Sequence, residues 1–237
     1  MIRGVVVTID GPAGTGKSSA AAALALRIGF EMLDTGAMYR AVALLAVEHG
    51  VDPSDEFGLA RIMDRAAIVV DFTSRPPVVR IGDRDVSREV RSAAVTTIVS
   101  QIASHHEVRS RLVQAQRMLA ETHPRLVTEG RDQGTIVFPD AAVRVWLDAR
   151  AEVRARRRAD ELRARGIEAN DADVLREILA RDDSDRGRSE GPLAQPAGAV
   201  VVDTSDMSFD QVVDALVRVV ADRTRETGAD CHCGGCA

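Results

Sequence analysis

One lysine stands out among the residues that could do chemistry in this chain. Of the 31 lysines and arginines, thirty are arginines, and Lys17 is the exception. It lies in a segment with the pattern G-x-x-x-x-G-K-[ST], which reads Gly11-Pro12-Ala13-Gly14-Thr15-Gly16-Lys17-Ser18. Glycines in such a loop let backbone N–H groups turn towards phosphate oxygens, and a lysine ammonium acts as a point charge between those oxygens. The pattern predicts a phosphate-binding loop, with the Ser18 hydroxyl placed for Mg²⁺.

The segments on either side support this prediction. Val5-Val6-Val7-Thr8-Ile9 is a β-branched run typical of a buried parallel strand, and residues 18–28 are rich in alanine, which favours a helix. The loop would therefore join the end of a strand to the start of a helix, where the helix dipole favours anions. The alternative, a glycine-rich turn that binds no ligand, is disfavoured by this context.

The composition and charge of the 237-residue chain exclude several broad functions. Hydrophobic residues make up 45% of it, which is ample for a core, while the length fits one large domain or two small ones. A net charge of -5 argues against a general binder of nucleic acids or membrane surfaces, so the arginines are expected to act locally. The longest apolar run, residues 20–26, is too short to span a bilayer, and Arg3 and Asp10 interrupt the region where a secretory signal would lie. We therefore expect a soluble, cytoplasmic protein.

All three cysteines lie near the end of the chain, where Cys231, Cys233 and Cys236 stand close to His232. A Cys₃His zinc site is chemically conceivable, but the tight spacing, two glycines and the lack of a preceding scaffold match structural zinc sites poorly. We expect residues 227–237 to form a disordered tail with reducible thiols, and metal binding or a targeting role is the alternative.

Strands and helices are predicted to alternate along most of the chain. We expect a strand at 31–33, a helix from 36 to 48 that Thr35 caps, a helical stretch from 92 to 121 that breaks near His105 and His106, strands at 125–129, 142–148 and 199–203, and helices at 151–165, 171–184 and 208–224. Trp146, in the strand at 142–148, is expected to lie in the core. Such alternation predicts an α/β fold, with an open parallel sheet covered by helices on both faces.

Residues 64–90 interrupt this alternation. Two β-branched runs, at 68–72 and 78–81, flank a loop that contains two prolines, and residues 82–85 carry the signals of a tight turn. This pattern predicts a small antiparallel insert.

A first polar cluster, residues 34–40, follows the second predicted strand, at the edge of the sheet where α/β proteins bind ligands. Arg40 can bind a phosphate, while Thr35 and Tyr39 offer hydroxyls and an aromatic ring. A helix cap accompanied by a surface arginine is the alternative.

A second cluster, residues 129–135, follows another predicted strand and lies at the same edge. Its glycines suggest a backbone close to a ligand, with Arg131 on a phosphate and Asp132 accepting from a donor. The alternative is a turn in which these two side chains merely pair with each other.

A third cluster covers residues 181–188. Arg181, Asp185 and Arg188 would share one helical face before Gly191-Pro192 stops the helix, which suits a mobile lid, although a solvated helix end is the alternative. Arginines at 150, 154 and 156–158 likewise suit either a triphosphate or a solvated face.

Together, the phosphate-binding loop and the three clusters resemble bacterial cytidylate kinases, which are nucleoside monophosphate kinases of the P-loop class. The resemblance covers residues 5–223, and its specific segments are I-D-G-P-A-G-T-G-K-S-S at 9–19, L-D-T-G-A-M-Y-R at 33–40, V-R-S-R-L at 108–112, E-G-R-D-Q-G-T-I-V-F-P-D-A at 129–141 and R-D-D-S-D-R-G-R-S-E-G-P-L at 181–193. It implies one kinase domain over residues 1–226, with a three-layer core at 1–63, 91–150 and 198–226, an acceptor-binding insert at 64–90 and a helical lid at 151–197.

The resemblance also implies roles for individual residues. ATP would be held by Gly11, Pro12, Ala13, Gly14, Thr15, Gly16, Lys17, Ser18 and Ser19, with Mg²⁺ at Ser18. Ser100, Arg109 and Asp132 would bind the base of the acceptor. The catalytic groups would surround the transferred phosphates; they are Lys17, Arg40, Arg131 and Arg188. Arg181 and Asp185 would reach the sugar hydroxyls. Cytosine suits this set because its amine needs an acceptor such as Asp132, while its O2 and N3 need a donor such as Arg109. Gln133 departs from the family, which usually has an aliphatic residue there, and it suggests a shifted polar network near the base.

The implied activity is Mg²⁺-dependent transfer of the ATP γ-phosphoryl group to CMP, and to dCMP, by a monomer. No general base is expected, because the acceptor phosphate has a second pKa of about 6 and is already ionised near neutral pH. One rival is a kinase for a small hydroxylated metabolite such as shikimate or gluconate, in which Asp34 would contact the acceptor hydroxyl. Another is a regulatory switch that hydrolyses its nucleotide slowly. The sequence does not rank CMP, dCMP and UMP.

Overall fold

Five parallel strands form the central sheet of the computed structural model, which describes residues 4–164 and 166–227. They are arranged in the order β2-β6-β1-β7-β8 and comprise β1 (Val5–Asp10), β2 (Glu31–Asp34), β6 (Arg125–Gly130), β7 (Val143–Asp148) and β8 (Val200–Asp203). Val7 of β1 lies beside Val127 of β6 and Val143 of β7, so β-branched side chains pack across the three central strands. Successive residues of a strand face opposite sides, and accordingly Leu126 and Val127 belong to different hydrophobic clusters. The sheet therefore separates the two larger clusters.

Helices cover both faces of this sheet, which confirms the predicted α/β fold. The helices are α1 (Lys17–Ile28), α2 (Thr35–His49), α3 (Glu56–Arg65), α4 (Ala93–Ile102), α5 (His106–Thr122), α6 (Ala151–Ala164), α7 (Asp171–Arg186) and α8 (Phe209–Thr227). Helices α1 and α8 bury Leu24 and Leu216 against one face of the sheet. On the other face, α2, α4 and α5 bury Met38, Ile102 and Leu112. Helices α6 and α7 pack on each other in a smaller third cluster.

A separate antiparallel sheet stands where the alternation was predicted to break. It consists of β3 (Ile68–Asp71), β4 (Val78–Ile81) and β5 (Arg84–Asp85). Val70 and Val79 are cross-strand partners, and both join the hydrophobic cluster that contains α2. The predicted insert is thus confirmed as an antiparallel element that packs on the main core. The predicted helix break is confirmed too, since α4 ends at Ile102 and α5 begins at His106.

Helix α3 was not predicted. The helix contains a glycine, Gly58, which weakens the local helical signal. The carboxylate of Asp55 caps it by accepting the N–H of Gly58 (2.8 Å), and Leu59 and Met63 are buried on its inner face. The helix therefore depends on tertiary packing more than on propensity.

Two local predictions are wrong. Asp34, not Thr35, caps α2, because its carboxylate accepts the N–H of Ala37 (2.8 Å). Trp146 is only half-buried, because it alternates with the buried Val145 and Leu147 along β7 and faces the less covered side.

The third prediction that fails concerns the end of α7. The helix ends at Arg186, and Gly187 closes it by donating its N–H to the carbonyl of Asp183 (2.9 Å). Arg188 thus lies beyond the helix and does not share a helical face with Arg181 and Asp185.

None of the helices within the described ranges combines the length and the apolar character that a membrane crossing requires. The predicted Cys/His tail lies outside the described residues, apart from Thr227 at the end of α8.

Candidate active site

The phosphate-binding loop runs from the end of β1 to the start of α1, as predicted. Gly11 begins it with a φ of 152°, and a Cβ there would lie 2.0 Å from the carbonyl oxygen of Leu147, so only glycine fits. Gly16, with a φ of 87°, precedes α1, whose first turn carries no acidic side chain. The N-terminus of α1 therefore presents free backbone N–H groups and an unopposed dipole to an anion.

Lys17 lies inside this loop with its side chain almost fully buried. Its Nζ donates to the carbonyl of Pro12 (2.6 Å) and to Thr15 Oγ1 (3.4 Å). Burial lowers the pKa of Lys17 below its ordinary value, and the charge of Arg131 lowers it further, while the carboxylate of Glu129 opposes the shift. The ammonium is therefore held close to other cations, an arrangement that an anionic ligand would relieve.

Oxygen atoms suited to a divalent cation stand beside Lys17. Ser18 Oγ donates to Glu129 Oε1 (2.8 Å), at the end of β6. Burial raises the pKa of Glu129 to about 7, and the charge of Asp34 adds to this, although Lys17 and the Ser18 hydrogen bond oppose it. Within the described ranges no group of three or more Asp, Glu, His or Cys side chains is placed to hold a metal by itself. A hydroxyl with one or two carboxylates suits Mg²⁺, which commonly takes its remaining ligands from water and substrate phosphates.

The first predicted cluster is anchored at the start of α2. Thr35 Oγ1 donates to the carbonyl of Glu129 (2.7 Å), and Arg40 Nη1 donates to Thr96 Oγ1 (2.8 Å) and to the carbonyl of Val90 (3.3 Å). Burial lowers the pKa of Arg40, with further contributions from the charge of neighbouring arginines. Arg40 is thus half-buried, so the alternative interpretation of Arg40 as a surface arginine does not fit.

The second and third clusters meet around Asp185, which is 1% exposed. Asp185 Oδ2 accepts from Arg131 Nε (2.8 Å), Oδ1 pairs with Arg188, and Arg188 Nη2 donates to Ser100 Oγ (3.0 Å). Burial alone would raise the pKa of Asp185, but the charges of Arg131 and Arg188 outweigh it and hold this pKa below its ordinary value. Burial lowers the pKa of Arg181 to about 10, with Arg131 as the next cause.

Two guanidinium nitrogens in this cluster lack a partner among the described residues, namely Nε of Arg181 and Nε of Arg188, and both are buried. The cluster therefore holds more positive charge and more donors than its one carboxylate satisfies, which suits an anion. The alternative of a solvated helix end does not fit side chains buried to this degree.

Arg109 and Asp132 form a second buried ion pair. Both are 4% exposed, they pair through Nη2 and Oδ2, and Arg109 Nη1 lies 3.4 Å from the hydroxyl of Tyr39. Burial raises the pKa of Tyr39 to about 12. Because Arg131 pairs with Asp185 and Asp132 with Arg109, the alternative in which Arg131 and Asp132 merely pair with each other is wrong. The backbone of Gly191 lies against this pair.

Two acidic residues that the sequence did not single out, Asp10 and Asp182, support the site from behind. Asp10, at the end of β1, accepts the N–H groups of Gln133 (2.8 Å) and Gly134 (2.7 Å), and burial raises its pKa to about 6. Asp182 is fully buried and pairs with Arg154 (2.6 Å) beneath the phosphate-binding loop. The sequence signal for Asp10 is its position at the end of the predicted strand, directly before the phosphate-binding loop.

Gln133 does enter a polar network, but that network faces the protein interior. Its Oε1 accepts from Thr128 Oγ1 (2.9 Å) and its Nε2 donates to Gln116 Oε1 (3.2 Å), which links β6 to α5. The sequence suggested that Gln133 shifts the polar network near the base. Its side chain instead contacts Thr128 and Gln116 between β6 and α5. Of the arginine run, Arg154 is buried, whereas Arg150 pairs with Asp206 at the surface.

A phosphate-binding loop after the first strand of a parallel sheet, facing a buried group of arginines, defines a P-loop kinase. Residues 7–222 match the family model described as cytidylate kinase, and the chain belongs to this family.

Relatives of similar length agree with this assignment. The cytidylate kinase of Mycobacterium avium (strain 104) is 45% identical over 224 residues, which cover 94% of this chain and 98% of the relative. That of Methylococcus capsulatus (strain ATCC 33009 / NCIMB 11132 / Bath) is 43% identical over 217 residues, which cover 91% and 96%. A crystal structure of a gluconokinase from Sinorhizobium meliloti 1021 has a TM-score of 0.52 at 14% identity, covers 96% of this chain and 97% of its own, and supports the fold alone.

Proposed function

We propose that this chain transfers the γ-phosphoryl group of ATP to CMP, giving CDP and ADP. The observation that carries the proposal is the group of arginines around Asp185, whose charges act on Lys17 across from it. Two anions brought between these groups would each neutralise positive charge that the one carboxylate of Asp185 does not balance. The family membership and the family name of the relatives agree with this substrate pair.

The proposed roles follow from charge and position. The loop residues from Gly11 to Ser19 bind the phosphates of ATP, and Lys17 neutralises charge on the group in transfer. Arg40, Arg131 and Arg188 hold the acceptor phosphate and align it with the γ-phosphate. Alignment and neutralisation are the main requirements, because the acceptor oxygen is already ionised near neutral pH and needs no base.

The base and sugar of CMP are assigned to the remaining residues. Arg109 donates to O2 and N3 of cytosine, Asp132 and Ser100 accept from its amine, and Thr35 and Tyr39 line the acceptor site. Arg181 and Asp185 reach the sugar hydroxyls. We extend the proposal to dCMP, because most of these groups address the base and the phosphate.

Mg²⁺ is proposed as the metal, held by Ser18 with Glu129 beside it. Its chemistry would be to neutralise and orient phosphate oxygens. Residues 64–90 are proposed as the acceptor-binding insert and 151–197 as a lid that excludes water from the reaction. One chain supplies every group named, so we propose a monomer, which works in the cytoplasm where its nucleotides are.

Asp34 argues against the rival that phosphorylates a hydroxyl. Its carboxylate caps α2 and pairs with Arg91 (3.3 Å), so it is already engaged in holding structure. The two functions separate on variants: loss of turnover alone in Asp34→Asn would favour the hydroxyl kinase, whereas a raised KM for CMP in Arg109→Ala favours ours.

The decisive test is a coupled ADP-release assay with ATP, Mg²⁺ and one acceptor at a time. We expect strong stimulation by CMP and dCMP. Stimulation by AMP or shikimate with CMP inert would overturn the substrate, and tight nucleotide binding without any acceptor-dependent turnover would favour the regulatory switch.

A further inference from the structure

One buried ion pair binds the backbone of Ala13, in the phosphate-binding loop, at both its N–H and its carbonyl. The N–H of Ala13 donates to Asp182 Oδ1 (2.9 Å), and its carbonyl accepts from Arg154 Nη1 (2.8 Å). The same Arg154 nitrogen lies 2.6 Å from Asp182 Oδ2, and Arg154 Nε donates to the carbonyl of Ala149 (3.0 Å), just after β7. Asp182 is 0% exposed and Arg154 is 5% exposed. Side chains of α6 and α7 therefore fix the two consecutive loop peptides that meet at Ala13, namely Pro12–Ala13 and Ala13–Gly14.

The loop also rests directly on these two helices. Gly14 has a φ of 77°, and a Cβ there would lie 3.2 Å from Ile178 Cδ1 of α7 and 3.3 Å from Arg154 Cβ of α6. A movement of α7 relative to the sheet would consequently displace the loop as well.

The next turn of α7 reaches the acceptor side of the site. Asp185 follows Asp182 by three residues, so the two carboxylates lie on the same side of the helix, about 4.5 Å apart along its axis. Asp182 holds the loop, whereas Asp185 holds Arg131 and Arg188. Helix α7 thus joins the two halves of the site through adjacent buried carboxylates.

Arg154 makes this arrangement compatible with an anionic ligand. A buried carboxylate without a partner, directly behind a loop that binds phosphates, would repel them through a medium of low dielectric constant. Paired with Arg154, Asp182 orients the Pro12–Ala13 peptide without adding net negative charge there.

We propose that Asp182 and Arg154 are positioning residues that couple the acceptor site to the phosphate-binding loop, so that bound CMP tightens the binding of ATP. The proposal rests on the function proposed above. Bound CMP fixes the positions of Arg131 and Arg188, and their ion pairs with Asp185 transmit this to α7. Asp182 on α7 and its partner Arg154 then fix the conformation of the phosphate-binding loop. By thermodynamic linkage, ATP must tighten CMP by the same factor.

The test uses the full chain with Asp182→Asn, which keeps an oxygen for the Ala13 N–H but loses the charge that pairs with Arg154. The dissociation constant of a non-hydrolysable ATP analogue is measured calorimetrically with and without saturating CMP. For the unmodified chain we expect CMP to tighten the analogue by about tenfold, within the usual range for coupled sites. The ratio of interest is the dissociation constant without CMP divided by the dissociation constant with CMP. For Asp182→Asn we expect this ratio to lie within twofold of one. A loss of folded protein would lower the number of binding sites and leave the ratio of the two constants unchanged.

The control is Asp183→Asn on the same helix, because that exposed carboxylate pairs only at the surface with Arg186. If Asp182→Asn is unfolded by circular dichroism, Arg154→Lys replaces it, since lysine keeps the charge but cannot make the three directed donations. A ratio in either variant equal to that of the unmodified chain would overturn the proposal, as would a ratio of one in the unmodified chain. An unmodified chain without CMP-dependent ADP formation would instead refute the proposed function.

Discussion

At the scale of single residues, the cationic side chains of the site differ in what surrounds them. The arginines face carboxylates, as Arg131 does with Asp185 and Arg109 with Asp132, and a planar fork suits such partners. Lys17 instead ends inside a loop of backbone, 2.6 Å from the carbonyl of Pro12. A compact ammonium fits that space and a guanidinium does not, which explains a lysine in a chain otherwise biased to arginine.

Replacing Lys17 by arginine is therefore expected to impair turnover despite the conserved charge. We expect kcat to fall by about 100- to 1000-fold, as when a group that stabilises the transition state is lost. The KM for CMP should change little, because the acceptor residues are untouched. The coupled ADP-release assay measures both values, and Arg225→Lys, an exposed position on α8, serves as the control. Retention of more than a tenth of kcat would contradict the role given to Lys17.

The buried carboxylate of Glu129 should make stability depend on pH. Its pKa is about 7 in the folded protein against 4.5 as its ordinary value, so the folded state binds the extra proton between these limits. Stability contributed by the neutral form is present below about pH 4.5 and is lost as the pH rises to about 7. In Glu129→Gln this loss is absent, and Ser18 can still donate to the amide oxygen.

Urea unfolding at pH 5 and at pH 8 tests this expectation. From pH 5 to pH 8 the unmodified chain should lose unfolding free energy relative to Glu129→Gln, by an amount on the order of 3 kcal/mol. Asp34→Asn keeps a capping side chain but removes a charge that raises the pKa of Glu129, so its loss from pH 5 to pH 8 should be smaller than that of the unmodified chain. Equal changes with pH in the unmodified chain and in Glu129→Gln would show that Glu129 is not held neutral by burial.

At the scale of elements, the sequence predicted what depends on local patterns. The strand, loop and helix around Lys17 and the antiparallel insert follow from β-branched runs, glycines and prolines that lie next to one another. Helix α3 escaped prediction because it contains Gly58 and gains its stability from packing. Asp182 escaped it because its partner Ala13 is 169 residues away, and in sequence it looks no different from the exposed Asp183.

The contact between β6 and α5 gives a test at this scale. Gln133→Leu would leave Thr128 Oγ1 and Gln116 Oε1 without their buried partner, and each such group costs about 1–3 kcal/mol. The double variant Gln116→Leu, Gln133→Leu should recover part of the loss, because fewer polar groups remain unpaired. Urea unfolding measures both. The KM for CMP should stay within twofold of the unmodified value; a larger rise would mean that Gln133 acts on the base after all.

At the scale of the whole molecule, the charge is distributed unevenly. The chain carries a net charge of -5, yet the site gathers the buried Lys17 and the half-buried Arg131, Arg181 and Arg188 within one group. Many surface arginines in the described part of the chain pair with carboxylates, as Arg84 does with Glu48 and Arg150 with Asp206. Positive charge is therefore concentrated around the phosphate-binding loop and Asp185, which suits small anions better than a polymer with an extended phosphate backbone.

One chain supplies both the phosphate-binding loop and the arginines around Asp185 that we propose hold the acceptor, so two inactive variants should not restore each other. Lys17→Met lacks the loop cation and Arg188→Ala lacks an acceptor arginine, and each should be nearly inactive in the ADP-release assay. If each site were built from two chains, mixing the two variants would produce some intact sites. For a dimer with random exchange of subunits, up to about a quarter of all sites would be intact. We expect the mixture, after unfolding and refolding together, to show only the summed activity of its components, and specific activity of the unmodified chain to stay constant on dilution. Recovery of activity in the mixture would show that the working enzyme is an oligomer with a shared site.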